Sequence, residues 1–239
     1  AANGFNTTEE ALRDIPGFCA ARRYANSLEK TYLDNMMRKH QEYSQMMINP
    51  GPHYALGVQN YATWTSPIRK YGDMINHRLI KSVICENEHP RMPDEDTLMV
   101  MNQARRTNRM AERSVRDWLY ADYLYPDMEN RTVFDAEVFD VVRGGLRVIL
   151  MANGAFIFVP GSFIISKRDV VDFDTVNGQV TYMGKVAFRL GDPIKVRIVS
   201  IEKITRSIVG APAELPLGMP VPDADKVMEN RREKQNQRR

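Results

Sequence analysis

Residues 61–78, YATWTSPIRKYGDMINHR, predict a helix that begins at Pro67 and runs to about Cys85. Ser66 is a good N-cap, and a proline in the first turn is tolerated because its missing N–H would be unpaired there. Arg69 then lies at the third helical position, where the positive end of the helix dipole disfavours a cation. Such a position favours an anionic ligand. We therefore expect Arg69 and the free N–H groups of the helix start to bind a phosphate.

The residues just before Arg69 supply further groups that suit a nucleotide. Hydroxyl groups can hydrogen-bond phosphate oxygens, and aromatic rings can stack on a base. The hydroxyl groups belong to Thr63, Thr65 and Ser66, and the rings to Tyr61 and Trp64.

Asp73 and His77 lie one helical turn apart on the same predicted face. They either orient Arg69 or form a local pair of the i,i+4 kind. A surface salt bridge between Arg69 and Asp73 is the structural alternative to a phosphate site. A single histidine such as His77 is more often a structural hydrogen-bonding group than a catalyst.

Composition limits the classes of protein that fit. The chain has 239 residues, 43% of them hydrophobic, enough for one large or two ordinary domains. The net charge of +3 excludes a polybasic nucleic-acid tail protein, so any basic surface is local. Cys19 and Cys85 show neither metal-ligand spacing nor a disulfide framework, which predicts a cytoplasmic location. No apolar run approaches membrane-spanning length, so we expect no membrane partner.

The order of patterns along the chain predicts an α+β protein. Helical periodicity dominates residues 1–128. Residues 131–212 contain alternating β-branched runs separated by Gly-containing turns, which predict hairpins. Five strands, one of them GQVTYMG (178–184), predict a closed OB-fold barrel. Residues 213–239 lack an apolar stripe and end in basic residues, so we expect a disordered basic tail.

A long helix is predicted from about Asp94 to Leu124, and two of its faces compete for burial. If the first is buried, the ionised Glu112 lies in a helix interface and needs a partner. If the second is buried, Glu112 lies nearer solvent. The first face comprises Leu98, Met101, Arg105, Asn108, Glu112, Val115 and Leu119; the second comprises Val100, Ala104, Thr107, Ala111, Ser114 and Trp118.

The β region mixes aromatic rings with cations, as OB-type barrels do when they bind single strands through stacking and backbone charge. Period-2 alternation places Phe156 and Phe158 on one face of a strand, so both point inward or both outward. Inward is the default, because such a barrel must be filled. The residues concerned are Phe139, Arg143, Arg147, Phe156, Phe158 and Lys185.

The stretch at 61–78 resembles the signature of the RNB catalytic domain of ribonucleases II and R, in which Ser-Pro-Ile-Arg-Arg/Lys-Tyr is followed by Asp and His-Arg. GPHYALG (51–57) and NRMAERSV (108–115) also fit that family. FIFVP (156–160) and FRLGDPIKVRIVSIE (188–202) resemble the RNA-binding barrel of the ribosomal-protein S-one class. The resemblance covers residues 1–212 and is closest to the C-terminal part of the bacterial ribonuclease II branch.

The resemblance implies a processive, hydrolytic 3′-to-5′ exoribonuclease that degrades single-stranded RNA to 5′-nucleoside monophosphates with Mg²⁺, as in mRNA turnover. Arg69 matches the arginine that contacts the reacting phosphate. Glu112 matches a carboxylate near the terminal nucleotide, which favours burial of the first face of the long helix. Asp73 and His77 are expected to orient the motif. The expected RNA or phosphate contacts are Tyr61, Thr65, Ser66, Arg78, Arg143, Arg147, Phe156 and Phe158.

The metal-binding motif of the family has no match in this sequence. RNB enzymes hold their metal with aspartates spaced Asp-x₅-Asp-x-Asp-Asp, and the cluster Asp94-Glu95-Asp96 has the wrong spacing. We therefore expect no metal ligand in this chain, Mg²⁺ ligands in an N-terminal remainder of the same enzyme, and no activity of the isolated chain. The rival hypotheses are an RNA-binding module without catalysis and a half-protein that docks to a separate N-terminal half.

Overall fold

The computed structural model describes residues 8–28, 31–41, 43–86, 92–165 and 170–236. They form two compact units, one of residues 1–27 and 41–112 and the other of residues 28–40 and 113–239. The helices are α1 (Glu9–Leu12), α2 (Ile15–Ser27), α3 (Tyr32–Lys39), α4 (Tyr71–Lys81), α5 (Glu95–Tyr123), α6 (Tyr125–Glu129) and α7 (Ala224–Asn236). The strands are β1 (Val133–Val142), β2 (Gly145–Leu150), β3 (Phe156–Pro160), β4 (Val171–Asp174), β5 (Gln179–Tyr182), β6 (Lys185–Arg189), β7 (Pro193–Glu202) and β8 (Ser207–Pro212). The predicted α+β class is confirmed.

The first unit consists of helices and loops with a small apolar core. α1 begins where the Thr8 hydroxyl accepts the N–H of Ala11 at 3.1 Å, as an N-cap does. Among the residues that the structure describes, the buried apolar side chains of this unit are Ile15, Ala21, Ala25 and Met101. Much of its apolar surface therefore remains in contact with solvent.

The predicted helix start at Pro67 is wrong. α4 begins at Tyr71, because Lys70 has an extended backbone with φ −120° and ψ 108°. Before it, the Ser66 carbonyl accepts the N–H groups of Arg69 at 3.2 Å and of Lys70 at 2.9 Å, which closes a separate turn. Ser66 therefore does not cap α4, and Arg69 lies in the turn that precedes the helix. A π-helical turn, Ser82–Glu86, follows α4, so the predicted end near Cys85 agrees with the structure.

α5 begins as its acidic start predicted. The Asp94 carboxylate accepts the N–H of Thr97 at 2.8 Å, and acidic residues occupy the first turn, where the helix dipole favours them. In the first unit, the Asn102 side chain donates to the Met46 carbonyl at 3.0 Å and accepts the Met46 N–H at 2.9 Å. This paired contact holds the extended segment around Met46 against α5.

The second unit contains a closed five-stranded barrel with the order β1-β2-β3-β8-β7, in which β7 returns to β1. Neighbouring strands of the barrel pair antiparallel, except β3 and β8, which pair in parallel at Phe158 and Val209. Gly145 is required at the β1–β2 hairpin, because a Cβ there would lie 2.1 Å from the Val159 carbonyl oxygen. The barrel interior is filled by fully buried residues that include Val138, Leu146, Val148, Ile157, Val159 and Val196.

One strand assigned to the barrel from the sequence belongs elsewhere. GQVTYMG forms β5, which pairs with β4 and β6 in a separate three-stranded sheet. The barrel still has five strands, because residues 193–212 supply two, β7 and β8. α3 packs on this unit, and its Lys39 ammonium lies 2.8 Å from the Asp140 carboxylate and donates to the Thr175 carbonyl at 2.7 Å.

The prediction of disorder from residue 213 onward is wrong for the described part of that segment. Met219 and Ala224 are buried against the barrel core, and α7 follows. The sequence did not predict these apolar contacts, because the segment as a whole is polar. Within the described ranges, none of the helices is both long and apolar enough to cross a membrane.

Candidate functional site

The loop before α4 is held by three side chains that project from that helix. The buried Asp73 carboxylate accepts the Ser66 N–H at 2.9 Å. Asn76 donates its side-chain N–H to the Thr63 carbonyl at 2.8 Å. The His77 Nε2 lies 2.9 Å from the Trp64 carbonyl oxygen, so one turn of helix fixes most of the loop.

The electrostatics of the loop centre on Asp73. Hydrogen bonding from the Thr63 hydroxyl, assisted by the Ser66 N–H, holds the pKa of the Asp73 carboxyl below its usual value, although burial opposes this. A buried carboxylate that is kept ionised needs such donors. The ionised Asp73 carboxylate therefore anchors the loop by accepting these hydrogen bonds.

Arg69 projects from this fixed turn and is exposed. The structure contradicts the surface salt bridge considered from the sequence, because the Asp73 carboxylate faces Ser66 and, in the described residues, makes no ion pair with Arg69. The guanidinium is thus available to an anionic ligand while its backbone is held in place. Asp73 and His77 each contact the loop backbone through their side chains.

The aromatic and hydroxyl groups of the loop lie on its accessible side. The Trp64 ring stacks on His77 with 4.2 Å between centroids and 16° between planes, and it remains partly exposed. Tyr61 is exposed and meets the His53 ring edge-on at 4.9 Å. Thr65 is exposed and Ser66 is half-buried, while Arg78 is exposed on α4.

The burial expected for Glu112 is wrong. Glu112 is exposed, and so are Asn108, Val115 and Leu119 on the same predicted face. The competing face is also exposed at Val100 and Trp118. The buried apolar residues of α5 are Met101 in the first unit and Ala121 in the second, among the residues that the structure describes, and most side chains between them are exposed.

The outer surface of the barrel carries the aromatic residues singled out in the sequence. Phe156 and Phe158 are half-exposed. Ile157, which lies between them, and Val159, which follows Phe158, are fully buried. The inward default for these phenylalanines is therefore wrong. Arg147 lies directly across from Phe158 on β2, and Phe139 meets Phe156 edge-on at 4.9 Å.

The cations of this surface are arranged around one ring. The Arg116 and Arg147 guanidinium carbons lie 5.3 and 5.9 Å from the Phe156 ring centroid, within the range of cation–π attraction. Arg143 is exposed in the β1–β2 turn. Lys185 is on β6 in the separate sheet and does not join the group.

Sequence reasoning missed several residues that the structure brings to these sites. Asn76 could have been found as the residue one turn from Asp73 on α4 that carries a hydrogen-bonding amide. Arg116 lies just beyond NRMAERSV, and no local pattern connects it with a phenylalanine 40 positions later. In the described part of the chain, no group of three or more His, Cys, Asp or Glu side chains is placed to hold a metal ion. The donor set there does not fit Mg²⁺.

Comparisons with known proteins place two domain types on the chain. Residues 5–86 match the RNB domain, and residues 128–211 match the S1 RNA binding domain. The chain is 46% identical over 212 residues to exoribonuclease 2 of Serratia proteamaculans and 44% identical over 211 residues to exoribonuclease 2 of Yersinia pseudotuberculosis. These alignments cover 89% and 88% of the chain but 33% of each relative, so the chain spans about a third of their length.

The fold is also similar to solved structures. The apo form of Mycoplasma genitalium RNase R superposes with a TM-score of 0.62 at 16% identity, covering 86% of this chain and 36% of that one. The same enzyme in complex with ribose methylated single-stranded RNA gives a TM-score of 0.61 at 16% identity, with the same coverage of both chains. At this identity the similarity concerns the fold alone.

Proposed function

Because the chain combines part of an RNB domain with an S1 RNA binding domain, we propose that it forms about one third of a hydrolytic 3′-to-5′ exoribonuclease. The substrate is single-stranded RNA, degraded processively to 5′-nucleoside monophosphates, and the role is RNA turnover, including that of mRNA, in the cytoplasm. The observation that carries the proposal is the exposed Arg69 on a turn fixed by the buried Asp73.

In this proposal Arg69 contacts the reacting phosphate. A guanidinium offers several donors in a fixed fork, which matches phosphoryl oxygens and neutralises the charge that develops on them in the transition state. The backbone turn at Ser66 and the hydrogen bonds from α4 limit the movement of the loop before reaction. Fixed donors cost little reorganisation during the reaction, which is why a held turn serves this role better than a free loop.

The residues around Arg69 contribute to binding in the same proposal. Tyr61 and Trp64 present aromatic surface, and Thr65 and Ser66 present hydroxyl groups near the same turn. Arg78 supplies an exposed cation on α4, and Asp73 and His77 orient the loop. Glu112 lies on an exposed helix surface and is assigned to the terminal nucleotide on the strength of the NRMAER match alone.

The barrel binds the RNA strand in this proposal. Phe139, Phe156 and Phe158 offer rings for base stacking, which contributes about 1–3 kcal/mol per base. Arg143 and Arg147 add the positive charge that attracts the phosphate backbone. The outward orientation of Phe156 and Phe158, with Ile157 buried between them, supports this assignment.

Mg²⁺ is the proposed metal, and its ligands belong to the remaining two thirds of the enzyme. The described residues of this chain lack a cluster that fits the ion. The first unit also exposes large apolar side chains, among them Ile68 at 102% and Ile84 at 74% of full exposure. Apolar surface of this kind supports a covering partner, which we identify as the remainder of the same enzyme.

The test uses the 239-residue chain and a chimaera. The chain alone is incubated with an end-labelled unstructured RNA in Mg²⁺ or in EDTA, with binding measured in parallel. The chimaera carries residues 1–212 in place of the matching third of the Serratia relative. We expect RNA binding without cleavage by the chain and Mg²⁺-dependent release of mononucleotides by the chimaera.

Two results would contradict the proposal in different ways. Metal-dependent trimming by the chain alone would mean that the metal site is formed from residues of this chain. A folded chimaera without nuclease activity would mean that the chain does not supply this third of the enzyme. RNA binding by the chain with an inactive chimaera would favour the rival RNA-binding module.

A further inference from the structure

A cleft in the second unit lies between the C-terminal part of α5 and strands β2, β3 and β8. Its volume is about 130 Å³, far below the roughly 300–1,000 Å³ of pockets for drug-sized ligands. A space of this size suits one flat ring. Its charged and aromatic lining comprises Arg113, Asp117, Tyr120, Arg147, Phe156, Phe158 and Arg206.

The walls of the cleft are fixed to each other by polar contacts. The Tyr120 hydroxyl donates to the Asn153 carbonyl at 2.6 Å, which ties α5 to the turn between β2 and β3. The Lys203 ammonium lies 3.1 Å from the Asp122 carboxylate, and Arg206 donates to the Ser114 hydroxyl, so the β7–β8 turn is tied to α5 as well. Arg206 has a φ of 57°, a left-handed conformation that a non-glycine residue adopts at some cost. The cleft is therefore a built feature of the unit.

The lining favours a nucleotide over other small ligands. Phe156 lines the cleft, and the Arg116 and Arg147 guanidinium groups lie over its ring, so a base that enters the cleft meets an aromatic and guanidinium surface. Arginine and aromatic planes stack on unpaired bases, and arginines also attract phosphate. Arg113, Arg147 and Arg206 outnumber the one carboxylate of the lining, so the cleft as a whole is cationic.

Asp117 is the one acidic side chain of this lining. The Asp117 side chain is 29% exposed, and its oxygens lie 3.6 Å from the Arg113 Nε and 3.8 Å from the Arg116 Nε. Both separations exceed hydrogen-bond length, so the carboxylate keeps acceptor positions open to a ligand. An ionised carboxylate only accepts hydrogen bonds and repels phosphate, so its partner in an RNA strand is a donor, either a base edge with N–H groups or a ribose 2′-hydroxyl. In a cleft that holds a flat ring, that donor is the base edge.

Guanine is the base whose edge fits a carboxylate best. Its Watson–Crick edge carries N1–H and N2–H₂ side by side, which two carboxylate oxygens can accept together. Adenine and cytosine place a ring-nitrogen lone pair next to their amino group, and uracil places carbonyl oxygens on both sides of N3–H. In each of these three bases an acceptor faces the carboxylate.

We propose that this cleft binds one guanine base of a single-stranded RNA, with Asp117 accepting hydrogen bonds from its Watson–Crick edge and Phe156 stacking on the ring. The proposal rests on the proposed RNA binding of the barrel and adds a base preference to it. Asp117 and Arg113 lie outside residues 128–211, the span of the S1 match. The preference is therefore a property of α5 and the barrel together.

The experiment measures binding of fluorescent RNAs to the full chain by anisotropy in EDTA. The probes are a ten-nucleotide oligouridine, the same RNA with one central guanosine, and the same RNA with one central inosine, which lacks the 2-amino group. The variant is Asp117→Asn, which keeps the shape of the side chain. The matched control is Asp172→Asn, which removes the same charge at an exposed position of β4 in the same unit.

We expect the chain to bind the guanosine RNA about fivefold or more tightly than oligouridine, with inosine between them. Asp117→Asn should abolish this ratio without weakening oligouridine binding, and Asp172→Asn should leave the ratio unchanged. Equal binding of guanosine and uridine RNAs by the unaltered chain, or a ratio that survives in Asp117→Asn, overturns the guanine site alone. Failure to bind any of the RNAs overturns both the site and the proposed RNA binding of the barrel.

Discussion

The Asp73 carboxylate accepts the backbone N–H of Ser66 at 2.9 Å, seven residues earlier in the chain. This contact turns the segment between them into a closed loop whose tip carries Arg69. The chain between the two residues is extended at Lys70, and the helix starts at Tyr71.

The contact predicts a dependence of the loop on pH. Because hydrogen bonding from Thr63 and Ser66 lowers the pKa of Asp73, the folded loop favours the ionised carboxylate. Its stabilisation should be present above the usual aspartate pKa of about 3.9 and be lost as pH falls through the lower folded value. Trp64 fluorescence in a Trp118→Phe background reports the transition, which should occur below pH of about 3.9.

Asp73→Asn is the control for that titration. It removes the titrating group, so the acid transition assigned to the loop should disappear while global acid unfolding remains. A transition of the same midpoint in Asp73→Asn would mean that another carboxyl controls the loop.

Asn76 is predicted to position the loop without contacting RNA. Asn76→Ala removes the hydrogen bond to the Thr63 carbonyl, which should cost about 0.5–1.5 kcal/mol and speed amide hydrogen exchange at residues 63–66. Asn108→Ala, at an exposed position of α5, is the matched control. Unchanged exchange in Asn76→Ala relative to Asn108→Ala would remove Asn76 from the set of positioning residues.

Two phenylalanines of the second unit should respond to truncation in opposite ways. Phe163 is fully buried in the core, so Phe163→Ala should lower the free energy of unfolding by about 3–5 kcal/mol. Phe156 is half-exposed, so Phe156→Ala should leave most of the stability and weaken RNA binding by about 1–3 kcal/mol. Thermal unfolding measures the change in stability, and fluorescence anisotropy with oligouridine measures the change in RNA affinity. Strong destabilisation by Phe156→Ala with unchanged RNA affinity of the folded fraction would assign Phe156 to the core.

Local signals in the sequence predicted much of the fold correctly. The Gly144-Gly145 hairpin, the acidic start of α5 and the presence of a five-stranded barrel follow from residues close together in the chain. The failures involve distant partners. Alternation correctly placed Phe156 and Phe158 on one face of their strand. Closure of the barrel turns that face outward, and Ile157 fills the interior instead. β5 looks like a barrel strand until its pairing with β4 and β6 is known.

The predictions for the candidate site also failed where contacts between distant residues decide the structure. Arg69 was singled out because a cation is unexpected in the first turn of a helix, and that argument fails because α4 begins at Tyr71. Its phosphate-binding role stays a prediction that rests on the motif. The spacing along α5 left the burial of Glu112 open between two faces, and the resemblance of NRMAER to the family favoured burial. In the described residues that face is buried at Met101 and exposed from Asn108 to Leu119. The Arg116–Phe156 contact had no local signal at all.

The Serratia chimaera gives the sharpest test of Arg69. Arg69→Ala should lower the rate of nucleotide release by about 10²–10³-fold, the range seen when one fixed donor to a transition-state oxyanion is removed. RNA affinity should fall only slightly, because it is spread over many backbone contacts. Arg13→Ala, at an exposed position of the first unit, removes the same charge and should leave both rate and affinity unchanged. Equal losses of rate and affinity in Arg69→Ala would identify Arg69 as one of many phosphate-binding residues, because an interaction made only in the transition state affects the rate selectively.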